Sequence, residues 1–367
     1  MSKTLDFSLA RAEDEADLRA LLRQQALPGW INISFEREPE FFAAAAIEGE
    51  DAQVLIAREQ QSRSLAGFCS RAVRRVFVNA QTQQLGYLGQ FRSVKSWQNG
   101  YRTYRALSKG FATVAAQLHQ QHELAFDITS ILSDNLSAKR LLEADLPGMP
   151  HYQHYSGFNT LIYRSGGRGY KKNHPQIKLG SELGLSAISQ FLQDNYRHYQ
   201  FSPVWDLPAL QSAGLSADNF LLFCDAQKII ACIAIWDQRH YKQAIVRGYK
   251  NPLAFFRPLI NAFSPVFGLP YMPPVGQPLN QAWLSHLACQ DNAHNALNIL
   301  LNNALWRAKK MGLEQLMLGL ADDHPFLSHA KRCRRHLSYH SDIYLIHWHK
   351  NTCSIDKRPL HLEVATL

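Results

Sequence analysis

The sequence predicts an α/β chain in which two halves of similar organisation follow one another. Helix-like and strand-like segments alternate along the chain, and the order of elements in the first half returns at lower fidelity in the second. A length of 367 residues with 46% hydrophobic composition is enough for two domains that each bury a core. We therefore expect two domains in tandem, each with a mixed, mostly antiparallel central sheet flanked by helices.

A glycine-rich and basic stretch marks the boundary between the halves. Residues 164–184, RSGGRGYKKNHPQIKLGSELG, contain glycines, a proline and cations that interrupt the apolar pattern. We place the first domain at residues 1–165, a basic linker at 166–180 and the second domain at 181–367.

The first half has the predicted order ααβββαβαββ. Its first helix lies in RAEDEADLRALLRQQ, where Leu18, Leu21 and Leu22 recur at helical spacing. A second helix in EPEFFAAAAIEGE precedes three strands, and the third strand, QQLGYLGQFRSV, leads into a helix from about residue 104 to 121. The strand ELAFDITSIL, a helix with Asn135 among its candidate caps, and closing strands in HYQHYSGFNTLIYRS complete this half.

The second half repeats this order of elements, with one long insertion. Helices are predicted in GLSAISQFLQDNYRHY, in NALNILLNNALWRAKKMG and in HPFLSHAKRC, and strands in NFLLFCDAQ, KIIACIAIWDQRHYKQAIVRGYKN, QAWLSHLACQ, LEQLMLGLAD and DIYLIHWH. Residues 251–278 are rich in proline and aromatic residues where the first half has a short turn. We expect this insertion to be a packing flap or the contact of a homodimer, with a mobile lid as the alternative.

Charge and cysteine content narrow the class of protein. A formal net charge of +9 with 16 histidines suggests an anionic partner, which could be nucleic acid, an acidic surface or a phosphorylated cofactor. The six cysteines lie singly, without the paired spacing of zinc sites or disulfide frameworks, so we expect reduced thiols and no metal. The sequence contains no leader-like start and no apolar run of roughly 18 residues. We expect a cytoplasmic protein without a membrane partner.

Three stretches of the first half resemble the GNAT superfamily of acyl-CoA N-acyltransferases. YLGQFRSV, at 87–94, is similar to the family's fourth strand, and QNGYRTYRAL, at 98–107, stands where the family has its pyrophosphate loop. DNLSAKRLLE, at 134–143, resembles the family's Asn-x-x-Ala-x-x-Leu-Tyr segment. The resemblance covers about residues 9–163 and implies two GNAT-like domains in tandem, of which the second is degenerate and is supported mainly by element order.

The resemblance implies a site for acetyl-CoA, or another acyl-CoA, in the first half. A helix N-terminus that follows a loop of small residues offers free N–H groups and a positive dipole end to a pyrophosphate. In the family, a fourth-strand N–H polarises the thioester carbonyl, which a primary amine attacks directly. The residues that the resemblance places against the cofactor are Arg92, Ser93, Val94, Gln98, Asn99, Gly100, Tyr101, Arg102, Thr103 and Asn135.

The first half also departs from the family pattern. Tyr101 and Thr103 stand where two small residues belong, and Gly100 comes one place early. Leu142 replaces the family tyrosine that often protonates the leaving thiolate. A polar turn between strand and helix is therefore the alternative interpretation of the loop, and an ordinary helix cap is the alternative for Asn135.

The candidate catalytic residue of the second half is His286 in its fourth strand. Histidine suits a general base because its pKa lies near neutral pH, and a hydrogen-bonded core histidine is the alternative. Asp322 and Asp323 lie near where the family places catalytic groups, and we interpret them as caps of the next helix.

The function expected from the resemblance is direct transfer of an acetyl or other acyl group from acetyl-CoA to a primary amine, without a metal. One rival is a degenerate GNAT-like binding or scaffold protein. The other is a Fem-type transferase, which also has two GNAT-like domains and takes aminoacyl-tRNA, a nucleic acid partner that a basic chain would suit.

Overall fold

The computed structural model describes residues 4–97, 100–119, 123–166, 174–290, 293–348 and 354–367, without the side chains of residues 100–102 and 294. The first half contains, in chain order, β1 (Leu5–Leu9), α1 (Glu15–Gln24), β2 (Ile31–Glu36), α2 (Phe41–Ala45), β3 (Asp51–Glu59), β4 (Leu65–Val78), β5 (Gln81–Ser93), α3 (Gly100–Gln117), β6 (Phe126–Leu132), α4 (Leu136–Leu142) and β7 (His151–Arg164). The second half contains β8 (Ile177–Leu179), α5 (Leu185–Tyr196), β9 (Ser202–Pro203), α6 (Leu207–Ser212), β10 (Phe220–Asp225), β11 (Lys228–Trp236), β12 (Gln243–Tyr249), α7 (Leu253–Phe267), β13 (Gln281–Cys289), α8 (His294–Lys310), β14 (Gln315–Ala321), α9 (Leu327–Cys333) and β15 (His336–His347).

One continuous sheet runs through the molecule. Its strands follow the order β1-β3-β4-β5-β6-β15-β7-β14-β13-β11-β10-β8, and β9 adds to β4 outside this path. The pairs β5–β6 and β13–β14 are parallel, and the other paired strands of this sheet are antiparallel within the described residues. This mixed, mostly antiparallel sheet flanked by helices confirms the predicted fold class.

The strand order is the same on both sides of the centre of the sheet. Outward from the centre, β6, β5, β4, β3 and β1 correspond to β14, β13, β11, β10 and β8. The two halves exchange their last strands, because β15 pairs with β6 while β7 pairs with β14. The central strands β7 and β15 also pair with each other along their length. This exchange joins the two expected sheets into one.

Some elements differ from the sequence-based expectation. The short strands β1 and β2 were not predicted, and the closing segment of the first half is one long strand, β7, rather than several. Strand β12 leaves the main sheet and pairs with β2 from the other half. The proposed linker at 166–180 stays a prediction, although its residues Ile177–Leu179 form β8 against β10.

Helices cover both faces of the first half's sheet. Side chains alternate between faces along a strand, and β3 illustrates this because Val54 packs against α1 and α2 whereas Leu55 packs against α3. The three leucines predicted on the inner face of α1 are buried. Each contributes about 1.5–3 kcal/mol by burial.

A buried ion pair fixes the strands on either side of β5. Arg71 on β4 donates hydrogen bonds of 2.8 and 2.9 Å to Asp127 on β6 and one of 2.5 Å to Glu123. Gly86 on β5 lies beneath this pair, and a Cβ atom there would be 2.1 Å from Asp127 Oδ1. Only glycine therefore fits at this position without displacing the ion pair.

Candidate functional site

Strands β5 and β6 separate after one registered residue pair. Tyr87 lies opposite Ile128, and beyond this pair the described parts of the two strands are not paired to each other. Strand β6 stays paired with β15 along its whole length. Divergence of parallel strands leaves backbone groups unpaired, and an extended ligand can use these groups. The gap lies in the half where the resemblance places the acyl-CoA.

A β-bulge interrupts β5 at the side of this gap. The register between β4 and β5 shifts so that Ser70 lies opposite Gly89 but Phe68 lies opposite Arg92. Gln90, within the bulge, has a φ of 53°, in the left-handed region that residues other than glycine rarely adopt. No described side chain accepts a hydrogen bond from the Gln90 N–H.

Two hydroxyl groups meet where the strands diverge. The Tyr87 hydroxyl lies 2.8 Å from the Ser130 Oγ, which joins β5 to β6. Burial raises the pKa of Tyr87 to about 12, so the phenol keeps its proton at neutral pH. In the sequence, Tyr87 stands out only as part of the YLG motif, and no pattern marks Ser130.

The predicted pyrophosphate loop is described only in part. The residues that lie outside the described set, wholly or by their side chains, are Gln98, Asn99, Gly100, Tyr101 and Arg102. Assignment of these residues to a cofactor stays a prediction.

The residues around this loop are held by hydrogen bonds. Trp97 is buried, and its indole N–H donates a 3.0 Å hydrogen bond to Glu59 on β3. Thr103, in the first turn of α3, donates a 2.8 Å hydrogen bond from its hydroxyl to the Trp97 carbonyl. These bonds tie the start of α3 to the edge of the first half's sheet.

The predicted cofactor contacts at the end of β5 are partly occupied. The Val94 N–H donates a 2.9 Å hydrogen bond to the Ala66 carbonyl, and the Ser93 carbonyl accepts one from the Gln25 side chain. Arg92 lies opposite Phe68, whose side chain packs against α1 and α2. Residues opposite each other in an antiparallel pair share a face, so Arg92 lies on the face away from α3.

Two arginines on this face have unused hydrogen-bond donors. Arg92 donates to the Phe91 carbonyl at 3.1 Å and has no carboxylate partner among the described residues. Burial, together with the nearby charge of Arg37, lowers the pKa of Arg92. Arg37 is 2% exposed and donates to Glu48 through one nitrogen, while its Nη1 has no described partner.

An apolar cavity of about 100 Å³ lies between α3 and the sheet. Phe91, next to the bulge, forms part of its wall. The other apolar lining residues include Leu5, Phe7, Leu55, Ala57, Ala106, Leu107, Phe111 and Val114. A dry apolar cavity of roughly 150 Å³ can bind a group as large as benzene. This cavity is therefore suited to part of an apolar chain.

The second half has the same bulge, but there the backbone N–H donates a hydrogen bond to a side chain. His286 on β13 has a φ of 54°, and the register with β11 shifts at this residue as it does in β5. The His286 N–H donates a 2.7 Å hydrogen bond to Glu363, whose carboxyl is buried. The segment that carries Glu363 thus occupies the donor that corresponds to Gln90.

The assignment of His286 as a catalytic base stays a prediction, and its surroundings are those of the protein core. Its imidazole is fully buried, and burial, followed by the charges of Arg74 and His361, holds its pKa well below the usual value. The ring packs against three aromatic residues, Trp205, Phe220 and Trp236. These surroundings favour the alternative interpretation, a core histidine.

Predictions about helix caps had different outcomes. Asn135 caps α4, since its side chain accepts a 3.3 Å hydrogen bond from the Ala138 N–H. The interpretation of Asp322 and Asp323 as caps of α9 is wrong, because that helix has no side-chain cap. Asp322 instead accepts a hydrogen bond from Asn159, and Asp323 accepts one from the Leu360 N–H.

Within the described ranges, His, Cys, Asp and Glu side chains form no group of three or more that could bind a metal ion. No helix in the part of the chain that the structure describes is long and apolar enough to cross a bilayer.

The fold is similar to solved N-acyltransferase structures. One structure of Saccharomyces cerevisiae N-myristoyltransferase with bound myristoyl-CoA has a TM-score of 0.60 and 10% identity, covering 98% of this chain and 89% of that chain. Another, with bound myristoyl-CoA and inhibitors, has a TM-score of 0.57 and 9% identity, covering 95% and 81%. A conserved protein of unknown function from Enterococcus faecalis, described as a probable N-acyltransferase, has a TM-score of 0.50 and 8% identity, covering 94% and 73%.

No protein-family model matches the sequence, and no curated protein matches it either. The structural similarity confirms, at the level of fold, the resemblance first suggested by YLGQFRSV and the stretches that follow it. The chain has the fold of the Saccharomyces cerevisiae N-myristoyltransferase structures.

Proposed function

We propose that the protein is an N-acyltransferase whose first half binds an acyl-CoA and transfers the acyl group to a primary amine. The observation that carries this proposal is the gap between β5 and β6 beside the bulge at Gln90. The second half has an equivalent bulge, but Glu363 occupies its amide. We therefore assign the transfer to the first half alone.

The bulge supplies a donor for the thioester carbonyl. Gln90 and His286 have φ angles of 53° and 54° and take the same place in their strands. The His286 N–H points out of the ladder towards a side chain, so we infer that the Gln90 N–H also points out of the ladder. A preorganised N–H at the developing oxyanion is worth about 10²–10³ in rate.

Transfer requires one bond to form and one to break. The neutral amine attacks the thioester carbonyl, a C–N bond forms, and the negative charge on the oxygen is stabilised by the Gln90 N–H. The C–S bond then breaks, and the leaving thiolate takes a proton. We assign this proton to the Tyr87 hydroxyl, which would be restored by the proton that the amine loses, passed through Ser130 or water.

The identity of the acyl group is a narrower proposal. The sequence suggests acetyl-CoA, which needs no apolar cavity for its methyl group. The cavity of about 100 Å³ beside Phe91 favours a longer acyl chain as a second candidate. The yeast N-myristoyltransferases with bound myristoyl-CoA, which share the fold, also favour it.

The acceptor is proposed to carry an anionic group beside its amine. Arg92 and Arg37 lie on the sheet face opposite α3, and both retain donors without described partners. A guanidinium pairs well with a carboxylate or phosphate because its planar fork offers two parallel hydrogen bonds. This placement supports an acceptor with such a group.

Titration calorimetry with acetyl-, hexanoyl- and myristoyl-CoA, followed by an assay of amine-dependent CoA release, tests the proposal. We expect saturable binding of at least one donor and turnover that requires the amine. No heat and no thermal shift at millimolar acyl-CoA would rule the proposal out. Binding without turnover would favour a scaffold, and retention on tRNA that weakens steeply with salt would favour the Fem-type alternative.

The variant Tyr87→Phe tests the assigned proton donor. We expect kcat to fall about 10²–10⁴-fold, the typical contribution of a general acid, with little change in the KM for acyl-CoA. Tyr339→Phe, on β15 away from the gap, is the matched control and should retain full activity. Unchanged kcat in Tyr87→Phe would remove Tyr87 from the mechanism.

A further inference from the structure

Helix α7 has its apolar face towards solvent. Six large apolar side chains on it are between 45% and 79% exposed: Phe255, Phe256, Leu259, Phe263, Val266 and Phe267. A surface helix of a globular protein normally turns its apolar stripe towards the core. We call these six residues the α7 surface.

The side of α7 that faces the protein is polar instead. Asn261 makes hydrogen bonds of 2.8 and 2.9 Å with the backbone carbonyl and N–H of Met272. Ser264 is 1% exposed and accepts a 2.7 Å hydrogen bond from Arg164. The helix is therefore fixed by polar contacts in an orientation that leaves the α7 surface uncovered. An exposed apolar patch of this kind marks an interaction site.

The segment of the chain that contains α7 carries basic residues and no acidic ones. Residues 238–290 contain no aspartate or glutamate. Four exposed cations close to the helix in sequence or in space form no ion pair with described residues: Lys250, Lys331, Arg332 and Arg335. The Arg335 guanidinium lies 3.5 Å from the Phe267 carbonyl at the C-terminal end of α7, so the basic segment 331–335 adjoins the α7 surface.

An exposed tryptophan lies beside the start of the helix. The Lys250 N–H donates a 3.0 Å hydrogen bond to the carbonyl of Trp30, and the Trp30 side chain is 67% exposed. Tryptophan is enriched where proteins meet the headgroup region of a bilayer, because its ring is apolar and its N–H is polar.

These charges decide between two occupants of the α7 surface. A two-fold contact with a second copy would bring identical patches together, so the cations of both copies would face each other. Anionic lipid headgroups would instead attract these cations, while the apolar side chains enter the boundary between headgroups and acyl chains.

We propose that α7 docks on the surface of an anionic lipid bilayer, with its axis in the plane of the membrane. The 15 residues of the helix span roughly 22 Å, enough to lie along the interface but not to cross it. The expectation of no membrane partner rests on the lack of a spanning segment in the sequence, and a helix that lies on the membrane surface needs no such segment. The expected homodimer through residues 251–278 becomes the competing outcome.

Co-sedimentation with vesicles tests the proposal on the full-length protein without any acyl-CoA, so its result is independent of the proposed function. Vesicles of phosphatidylcholine alone are compared with vesicles that also contain phosphatidylglycerol. We expect at least about tenfold tighter binding to the anionic vesicles, and we expect this difference to shrink as salt rises.

Variants separate the apolar and basic contributions. Phe255→Ser/Phe263→Ser should weaken vesicle binding at least about tenfold, and Lys331→Gln/Arg332→Gln should weaken binding to anionic vesicles alone. The matched control is Leu9→Ser/Leu136→Ser, two leucines of the first half that are 41% and 57% exposed. All substitutions are at exposed positions, and circular dichroism verifies the fold.

Two results would overturn the proposal. One is a failure of the wild-type protein to bind anionic vesicles, or binding of the Phe255→Ser/Phe263→Ser variant that is as tight as that of the wild type. The other is a concentration-dependent dimer in sedimentation velocity that the same double substitution dissociates, without vesicle binding. That result would assign the α7 surface to a second copy of the chain.

Discussion

Substitution of Glu363 by glutamine tests the contribution of its buried carboxyl, which accepts a hydrogen bond from the His286 N–H at the bulge of the second half. The Glu363 carboxyl is 4% exposed and accepts hydrogen bonds from the N–H groups of His286, at 2.7 Å, and Ala365, at 3.3 Å. Burial raises the pKa of Glu363 to about 7. Glu363→Gln keeps the size of the side chain and removes its titration.

The sign of the pH effect follows from the two pKa values. The carboxyl titrates near pH 4.5 in the unfolded chain and near pH 7 in the folded protein. Between these values the folded state binds more protons, so this group lowers the free energy of unfolding as the pH rises. The loss is absent below pH 4.5 and complete above pH 7, where it amounts to roughly 3 kcal/mol.

Glu363→Gln avoids this fall in the free energy of unfolding because its amide does not titrate. The amide has only one acceptor oxygen, where the carboxyl group has two. An unmade hydrogen bond at a buried N–H costs about 1–3 kcal/mol at any pH. We therefore expect the variant to be less stable than wild type at pH 5. Between pH 5 and pH 9 the difference should shift by roughly 3 kcal/mol in favour of the variant.

Urea unfolding of both proteins at pH 5, 7 and 9 measures this difference. Both proteins contain the same buried histidines, whose pKa values burial holds below the usual value. Glu13→Gln, an exposed position on the first half, serves as the control for loss of a carboxylate. If the stabilities of wild type and Glu363→Gln change in parallel from pH 5 to 9, the carboxyl does not titrate as stated.

Three further substitutions test the ion pair and the cavity. Gly86→Ala should cost about 1–3 kcal/mol in urea unfolding, because its Cβ would be 2.1 Å from Asp127 Oδ1. Gly248→Ala is the control and should cost much less, because its Cβ would be 3.3 Å from the Asn32 side chain. Equal effects of the two substitutions would contradict the steric reason. Arg71→Met should cost about 3–5 kcal/mol in urea unfolding, because Asp127 and Glu123 stay buried without their cation. A loss below about 1 kcal/mol would contradict this reason. Ala106→Leu should fill the cavity under α3 and raise the calorimetric Kd of hexanoyl-CoA at least about tenfold, with little change in the Kd of acetyl-CoA. An equal loss of affinity for both acyl-CoAs would place the acyl chain elsewhere.

Local patterns in the sequence predicted most elements correctly. The leucines of α1 recur at helical spacing, and Asn135 precedes an apolar face. In each case the residues of one short segment are enough to predict the structure of that segment. The YLG stretch predicted a strand that leads into a helix, and β5 and α3 have this arrangement. These features depend on residues that are close together in the chain.

Features that depend on distant residues were not predictable. The contact between His286 and Glu363 joins residues 77 positions apart, and nothing near either residue indicates the other. Gln90 adopts a left-handed conformation that its residue type does not favour, so the sequence did not reveal the bulge. The apolar residues of 251–278 were noted, but which of them face solvent depends on hydrogen bonds to Met272 and Arg164.

The exchange of β7 and β15 makes the two halves inseparable during synthesis. Without residues 336–347, β6 has a free edge made of Phe126–Leu132, and β7 lacks a partner on one side. An apolar edge strand readily pairs with other chains. A fragment that ends at the proposed linker should therefore aggregate rather than fold as an autonomous domain. On the ribosome, the edge of β6 stays without this partner until β15 has emerged, near the end of synthesis.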